Sequence, residues 1–415
     1  MRRSVVFRQG IAERSMDSMP DWVLVHGLAA LGAAFAFCMG ACAGSFINVV
    51  AMRWPEGMSV VAPPSRCPTC GLRLAWWQNL PVLGWFIVRG RCAGCGVRIP
   101  PQYLLLELVV GLLFAALWWQ CFAGSAADRA REAGLGWFAQ QGFWRALPMI
   151  VAWAWCIGSL VAITMIDART FTIPLAIPVL STVVAFAAAA VQGWVPHPGT
   201  MVAPLPGAPM WMAGAAIGGM IGVIKLAALL RAGVLRPGFH DYEQFVPEGE
   251  LFADYPHARR EAVRELGQAC IVLAPAMLGG FIGAFLGASI GTTPPWIEPL
   301  ASSMMGYLVG GGIIWAIRIA GTLGFGREAM GYGDVHILAC AGAAFGWIVP
   351  LAGFFIAPFV ALAAMAVLAI VSRGGRRREL PYGPYLAAAV LLLVYFRPWF
   401  VDLGRMAFPG IVEGP

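Results

Sequence analysis

Residues 326–338, GREAMGYGDVHIL, place Asp334 between a glycine-rich turn and a long apolar run. A second stretch, VAITMIDARTFTIPLAIP at 161–178, ends another apolar run on Asp167. Ionisable groups inside or beside membrane helices cost free energy and therefore indicate function. Two questions follow: whether the apolar runs are membrane helices, and whether the two acids meet.

The composition of the chain answers the first question. Of 415 residues, 60% are hydrophobic and only 12% are charged. A soluble protein cannot cover so much apolar surface, so lipid is the solvent for much of the chain. The formal charge of +7 comes from Arg near the ends of apolar runs, which makes nucleic acid a poor candidate partner. The sequence predicts an all-α polytopic membrane protein with roughly 8–10 transmembrane helices.

Ten apolar segments are candidate helices, and the short one at 335–347 is expected to be re-entrant or tilted. They are 22–44, 103–122, 146–166, 173–194, 209–230, 268–290, 301–320, 335–347, 349–371 and 383–397. Basic residues in short loops mark the cytoplasmic side of a membrane. The Arg-rich loop 45–102 and the run SRGGRRREL at 372–380 are both cytoplasmic if the eight segments between them all cross, which also places Asp167 and Asp334 at the cytoplasmic face.

The predicted domain order follows from these segments. Residues 1–21 form an N-terminal segment that resembles a signal n-region, but no cleavage site follows it, so 22–44 is interpreted as a retained first span. Residues 45–102 form a cytoplasmic cysteine-rich domain, and 103–415 form the membrane domain with a cytoplasmic insertion at about 231–267. The insertion shows no chemistry in its sequence, and its end, HARREAVREL, can start the next helix.

Asp167 and Asp334 form a candidate catalytic pair. Two neighbouring carboxyl groups cannot both ionise cheaply, so they share a proton. The ionised member can activate water while the protonated member donates to a carbonyl oxygen, which is general acid–base hydrolysis of an amide. Gly331 and Gly333 allow a substrate strand to approach closely. The alternative is that such an Asp is an N-cap or an interfacial salt-bridge partner, with Asp334 capping its helix.

Four cysteines, Cys67, Cys70, Cys92 and Cys95, form two C-x-x-C pairs in the Arg-rich loop. Each pair offers two thiolates to one ion, so the spacing predicts a structural tetrahedral zinc site without an open ligand position. Metal would hold together a loop that has little core of its own. The alternatives are a redox dithiol and a chance pairing of the cysteines. The other six cysteines lie in apolar runs and are interpreted as small hydrophobic residues.

The chain resembles the bacterial prepilin peptidases, which are type IV leader peptidases and G-x-G-D aspartic proteases of the inner membrane. Five blocks occur in family order: GSFINVVAMRWP at 44–55, the cysteine-bearing stretch from Cys67, MIDARTFTIP with Asp167, GYGDVHILACAGAAFGW with Asp334, and LPYGPYLAAA at 380–389. The resemblance carries the two catalytic roles to Asp167 and Asp334.

The resemblance implies a bifunctional enzyme of type IV pilus or type II secretion systems. It would cleave the leader of a prepilin or pseudopilin at the cytoplasmic face. It would then N-methylate the new terminus with S-adenosylmethionine, an activity associated with the cysteine-bearing domain. No glycine-rich nucleotide-binding fingerprint occurs, so the cofactor-binding residues are unknown and the methyl donor rests on resemblance alone.

Two departures from the family pattern stand out. His336 occupies a position where the family often has Lys, and an extra helix pair, 209–230 and 268–290, lengthens the interval between the two acids. Two alternatives from other classes remain open: a non-enzymatic export-assembly scaffold, and a proton-coupled transporter that uses the acids as a relay. A transporter favours charges near the bilayer midplane, whereas these acids lie at helix ends. A related protease that cuts transmembrane segments is the neighbouring enzyme alternative.

Overall fold

The structure is a computed structural model that describes residues 21–123, 135–196, 203–245, 255–371, 381–396 and 399–400. In this part of the chain the regular structure is helical, and extended pairing is limited to two isolated bridges, Arg66 with Arg73 and Arg91 with Arg98. The predicted all-α class is confirmed. Residues 1–20 and the basic run 372–380 lie outside the described residues, and the sidedness deduced from that run stays a prediction.

The described residues form α-helices that we number in chain order. They are α1 (Asp21–Arg53), α2 (Leu83–Ile87), α3 (Gln102–Phe122), α4 (Leu135–Gln141), α5 (Phe143–Thr170), α6 (Ala176–Gln192), α7 (Met210–Arg231), α8 (Ala258–Ile290), α9 (Glu298–Phe325), α10 (Tyr332–Phe345), α11 (Ile348–Val371) and α12 (Gly383–Tyr395). Every predicted apolar segment corresponds to one of them.

Length and composition identify the helices that can cross a membrane. Within the described ranges, seven helices are long and apolar enough: α1, α3, α5, α7, α8, α9 and α11. Two further apolar helices, α6 and α12, are shorter. A polytopic membrane protein is therefore the observed class, as the composition predicts.

The chain divides into two compact units, which are described separately. Unit 1 comprises Met1–Asn48 and Val61–Ala139 and contains the cysteine-bearing loop. Unit 2 comprises Val49–Val60 and Gln140–Pro415 and contains Asp167 and Asp334. The predicted boundaries at 22–44, 45–102 and 103–415 stay predictions.

Helix α8 begins at Ala258, earlier than the apolar segment predicted from 268. Its first turns are polar in sequence but bury Glu261 and Glu265 inside the protein, at 3% exposure each. The stretch HARREAVREL therefore does start the helix, as its sequence allows. Hydropathy locates only the apolar part of α8 because the polar part contacts protein.

Helix α10 is short because it lies among other helices. It packs against α5, α6, α9, α11 and α12. Ile337, Cys340 and Ala341 are fully buried, and its other residues from Asp334 to Phe345 are also buried or nearly so. A helix that faces protein on all sides has no lipid-exposed length to match to the bilayer, which accounts for its 14 residues.

Glycines allow α9 and α10 to approach closely. A Cβ on Gly306 of α9 would collide with the carbonyl of Gly342 in α10, and a Cβ on Gly310 would collide with the carbonyl of Leu338. Small residues at helix contacts let backbones pack directly, which is the usual source of association in a membrane. This contact determines where α10, and with it Asp334, lies.

We expect Gly306→Ala to destabilise unit 2 and Gly312→Ala, on the same helix, to leave it intact. The first substitution overpacks the α9–α10 contact and should cost about 1–3 kcal/mol. A Cβ at Gly312 meets nothing within 4 Å. Thermal unfolding of the two variants in detergent measures the difference, and equal unfolding midpoints would contradict the packing argument.

Candidate functional site

Asp167 lies in the last turn of α5. The helix ends where Phe171 adopts a left-handed backbone with φ of 54°, and the Phe171 N–H donates to the Asp167 carbonyl at 2.9 Å. Pro174 follows and lacks the N–H needed to continue a helix. The Asp167 side chain is only 5% exposed, so the end of α5 carries a buried carboxyl group.

Gly383, the first residue of α12, faces this carboxyl group. Its backbone N–H acts as a hydrogen-bond donor toward Asp167. The first N–H groups of a helix have no intrahelical partner, so they are available to an anion or carboxyl group. A Cβ at position 383 would lie 2.5 Å from the Asp167 Oδ2 and 3.2 Å from Ile337 Cδ1. The glycine at position 383 therefore leaves room for its own backbone to contact the Asp167 carboxyl group directly.

Asp334 is the third residue of α10 and is 6% exposed. The N-cap position belongs to Gly331, and no side chain caps the helix. The interpretation of Asp334 as a simple helix cap is therefore wrong. The space beside Gly333 is filled by Ile173, whose Cδ1 would lie 2.7 Å from an added Cβ, so Gly333 serves packing and not the close approach of a substrate.

The two acids come together in unit 2. The start of α12 contacts both segments: an added Cβ at Gly383 would lie 2.5 Å from the Asp167 Oδ2 and 3.2 Å from the Cδ1 of Ile337, which is one turn after Asp334 in α10. Asp167 and Asp334 therefore belong to one neighbourhood although they are far apart in sequence. Because both are buried at helix ends, the arrangement presents two carboxyl groups from different helices to one small region. Such a pair can hold one proton between its members and can act as acid and base together.

Two other acids at helix ends, and the histidine that follows Asp334, have structural partners. Glu107 of α3 accepts a hydrogen bond from the Val82 N–H at 2.7 Å and so anchors the cysteine-bearing loop to its following helix. Glu328, in the loop before α10, pairs with Arg318. His336 packs edge-on against the ring of Tyr332, with centroids 5.1 Å apart. Glu328 differs from Asp167 in that its carboxylate is paired with an arginine, although its charge also acts on Asp334 through space.

Sequence analysis missed a charged cluster around Arg318. This arginine lies in α9 and is 2% exposed, and it pairs with Glu265 of α8 and with Glu328. Glu265 falls within the predicted insertion, which therefore supplies a structural partner to this cluster. A signal was present: Arg318 is a single cation in the apolar run IIWAIRIAG, and such residues are seldom incidental.

The four predicted zinc ligands are brought together in unit 1. The ligand atoms of Cys67, Cys70, Cys92 and Cys95 all lie within 4.8 Å of one another. The Cys67 and Cys95 sulfurs are 3.8 Å apart, and those of Cys70 and Cys92 are 3.9 Å apart. Four sulfurs at about 2.3 Å from one zinc ion in a tetrahedron are separated by about 3.8 Å. The donor set therefore fits zinc.

The two halves of this cluster share one local design. Gly71 and Gly96 follow the cysteine pairs with φ of 71° and 70°, and their N–H groups donate to the carbonyls of Cys67 and Cys92. The backbone N–H groups of Cys70 and Thr69 lower the pKa of the Cys67 thiol to about 6. At Cys67 the turn therefore favours the thiolate, which is the form that binds metal.

Comparison with known proteins finds similarity to one family model and to several curated proteins. Residues 38–121 match the family model described as the Bacterial Peptidase A24 N-terminal domain. A protein of Myxococcus xanthus named "Prepilin leader peptidase/N-methyltransferase" is 55% identical over 21% of this chain and 26% of its own length. A protein of Klebsiella pneumoniae with the same name is 42% identical over 20% of this chain and 40% of its own length.

A third relative matches most of the chain. The "Prepilin leader peptidase/N-methyltransferase" of Aeromonas hydrophila is 25% identical over 88% of this chain and 91% of its own length. The matches to the other two proteins are more identical but shorter, so the chain spans only about a quarter to two fifths of those relatives' length. No solved structure matches the chain. The predicted resemblance to this group of proteins is confirmed.

We expect the purified protein to contain about one zinc ion per chain. Replacing Cys67 and Cys92 with Ser should remove the metal and loosen the loop, because each knuckle loses a thiolate. Cys38→Ser, at an exposed cysteine of α1, is the matched control and should retain it. Elemental analysis gives the ratio, and a folded wild-type protein without metal would contradict the assignment.

We expect Gly383→Ala to disturb the site at Asp167 while Gly353→Ala leaves it unchanged. The added methyl group would press on the Asp167 carboxyl and separate it from the backbone donor. At Gly353 the nearest atom is the Cγ2 of Val390, 3.3 Å from an added Cβ, so a shift of a few tenths of an ångström is enough to accommodate the methyl group. Comparing the two variants in the cleavage assay described below, with unfolding as the check on integrity, tests this contact.

Proposed function

We propose that this chain is a membrane aspartic endopeptidase of the bacterial inner membrane that removes the leader of type IV prepilins or pseudopilins at the cytoplasmic face. The observation that carries the proposal is the buried pair Asp167 and Asp334, contributed by the ends of α5 and α10. The similarity to proteins named prepilin leader peptidase/N-methyltransferase supports the choice of substrate.

The chemistry follows from the proton that the pair shares. The ionised Asp accepts a proton from water as the water oxygen attacks the carbonyl carbon of the scissile amide. The protonated Asp donates to the carbonyl oxygen, which gives a neutral tetrahedral diol. When the C–N bond breaks, the Asp that took the proton from water gives it to the leaving nitrogen, and one diol hydroxyl returns its proton to the other Asp as the C=O bond of the product forms. The pair is left with one shared proton, as at the start. No covalent enzyme intermediate is required.

The protein around the pair supports this chemistry. Burial excludes bulk water, which strengthens the interaction of the carboxyl groups with each other and with a bound peptide. The Gly383 N–H orients the Asp167 carboxyl group from one side. An extended substrate segment must reach the pair from the loop side of α10, since the remainder of that helix is enclosed by its neighbours.

N-methylation of the new terminus, with S-adenosylmethionine as methyl donor, is the second proposed activity. It rests on the names of the relatives and on the match of residues 38–121. The described residues hold no strand followed by a glycine-rich turn of the kind that binds nucleotides, and we assign no residue to the donor. Zinc at the four cysteines would act only as a structural ion, because its four ligand positions are filled.

We expect Asp167→Asn and Asp334→Asn each to abolish cleavage of a model prepilin, because an amide can neither accept nor donate the shared proton. Glu298→Gln, an acid at the opposite end of α9 from the loop that leads to Asp334, should cleave like wild type. Product masses after incubation in detergent give the cut position. Cleavage retained in either Asp variant would refute the pair, and proton-coupled uptake that depends on the same residues would favour transport.

We expect products formed with S-adenosylmethionine to carry one added methyl group and those formed without it to lack the group. The Asp variants should give neither cleavage nor methylation of the full-length substrate, since the amine to be methylated is absent. A pre-cleaved pilin supplied to the Asp334→Asn variant separates the two activities. If the wild-type protein does not methylate the pre-cleaved pilin, the proposed methylation is refuted while the proposed peptidase activity still stands.

A further inference from the structure

Arg318 is held in α9 by bonds in the plane of its guanidinium group. Its Nε lies 3.2 and 3.3 Å from the two carboxylate oxygens of Glu265, and Nη2 lies 3.2 Å from one of them. On the other side, Nη1 donates to Glu328 at 2.5 Å and to the backbone carbonyl of Met330. A planar fork of donors suits such two-sided binding, which a lysine cannot reproduce.

Aromatic rings cover the faces of the same group. The Phe239 ring centroid lies 4.7 Å from the guanidinium carbon, and that of Tyr332 lies 5.9 Å from it. Trp315 donates from its indole nitrogen to Glu265 at 3.1 Å, which further secures the partner carboxylate. Arg318 is therefore surrounded by groups from several segments, and its charge is compensated within the protein.

These contacts join the insertion to the segment that carries Asp334. Phe239 belongs to the insertion and Glu265 to the polar start of α8. Glu328 and Met330 belong to the loop 326–331, and Tyr332 is two residues before Asp334. The loop has few other anchors: Gly326 ends α9 with φ of 71°, and the Ala329 N–H donates to the Thr322 hydroxyl at 3.2 Å.

We propose that Arg318 is a positioning residue for Asp334, and that the insertion and α8 brace the catalytic loop through it. The inference rests on the proposed peptidase function. Arg318 bonds to the loop 326–331 rather than to substrate, and its charge also acts on Asp334 through space. A reacting group displaced by about 1 Å can lose about 100-fold in rate. Removing the brace should therefore slow the chemical step.

The test compares Arg318→Met and Arg318→Lys with Arg260→Met. Arg260 is the matched control because it is an exposed arginine in the first turn of α8, the helix that supplies Glu265. We expect kcat for prepilin cleavage to fall about 10- to 100-fold in Arg318→Met with little change in KM. Arg318→Lys retains the charge and should recover part of that loss. Arg260→Met should match wild type.

A double variant that lacks the charges of both Arg318 and Glu265 separates a positioning role from a loss of folding. Removing Arg318 alone strands Glu265 in the protein interior, whereas the double substitution Glu265→Leu with Arg318→Met leaves no unpaired charge at that pair. We expect this double variant to unfold at a temperature close to that of wild type and still to show reduced kcat. A structural role alone would give wild-type kcat in every variant that folds.

Each outcome has a defined meaning. Wild-type kcat in a folded Arg318 variant, with both Asp→Asn variants inactive, would overturn the positioning role and leave the peptidase function standing. Failure of all the Arg318 variants to fold, the double variant included, would show that Arg318 maintains the bundle, and would overturn the role as well. Cleavage that survives in the Asp variants would overturn the proposed function first, and this inference with it.

Discussion

Ionisable side chains buried in a membrane bundle need partners, because neither lipid nor bulk water solvates them there. In unit 2 this requirement explains several contacts between helices. Asp167 is met by the backbone of Gly383, Asp334 lies by Asp167, and Arg318 is enclosed by Glu265 and Glu328. Since each partner comes from a different helix or loop, satisfying these groups ties α5, α8, α9, α10 and α12 together.

Close helix packing makes these meetings geometrically possible. The α9–α10 contact through Gly306 and Gly342 brings the backbones together and leaves α10 enclosed. An enclosed helix presents its first turn at a defined depth, where it can carry Asp334. Arg318 then holds the loop that precedes α10. Apolar packing therefore determines the position of the helix, and polar contacts determine the position of the loop. The two kinds of contact act on adjacent residues.

The cysteine-bearing loop of unit 1 is stabilised in a different way. It has few buried apolar side chains, and many of its large hydrophobic residues, such as Trp76 and Leu83, are exposed. Local backbone turns instead bring four thiols to the spacing of a tetrahedral site, and metal can supply the free energy that a core would otherwise provide. That organisation is encoded within a short stretch, which is why its ligands could be identified from spacing.

The sequence alone determined the helical membrane class, the ten apolar helices, the four thiols and the two acids, because hydropathy, C-x-x-C spacing and acids beside apolar runs are local signals. Only the tertiary structure brought Asp167 near Asp334, placed Gly383 against it and excluded a simple capping role for Asp334. It also revealed Arg318 and Glu265 as partners. Their pairing joins positions far apart in the chain, one in an apolar run and one in a polar segment, and no local pattern encodes such a contact.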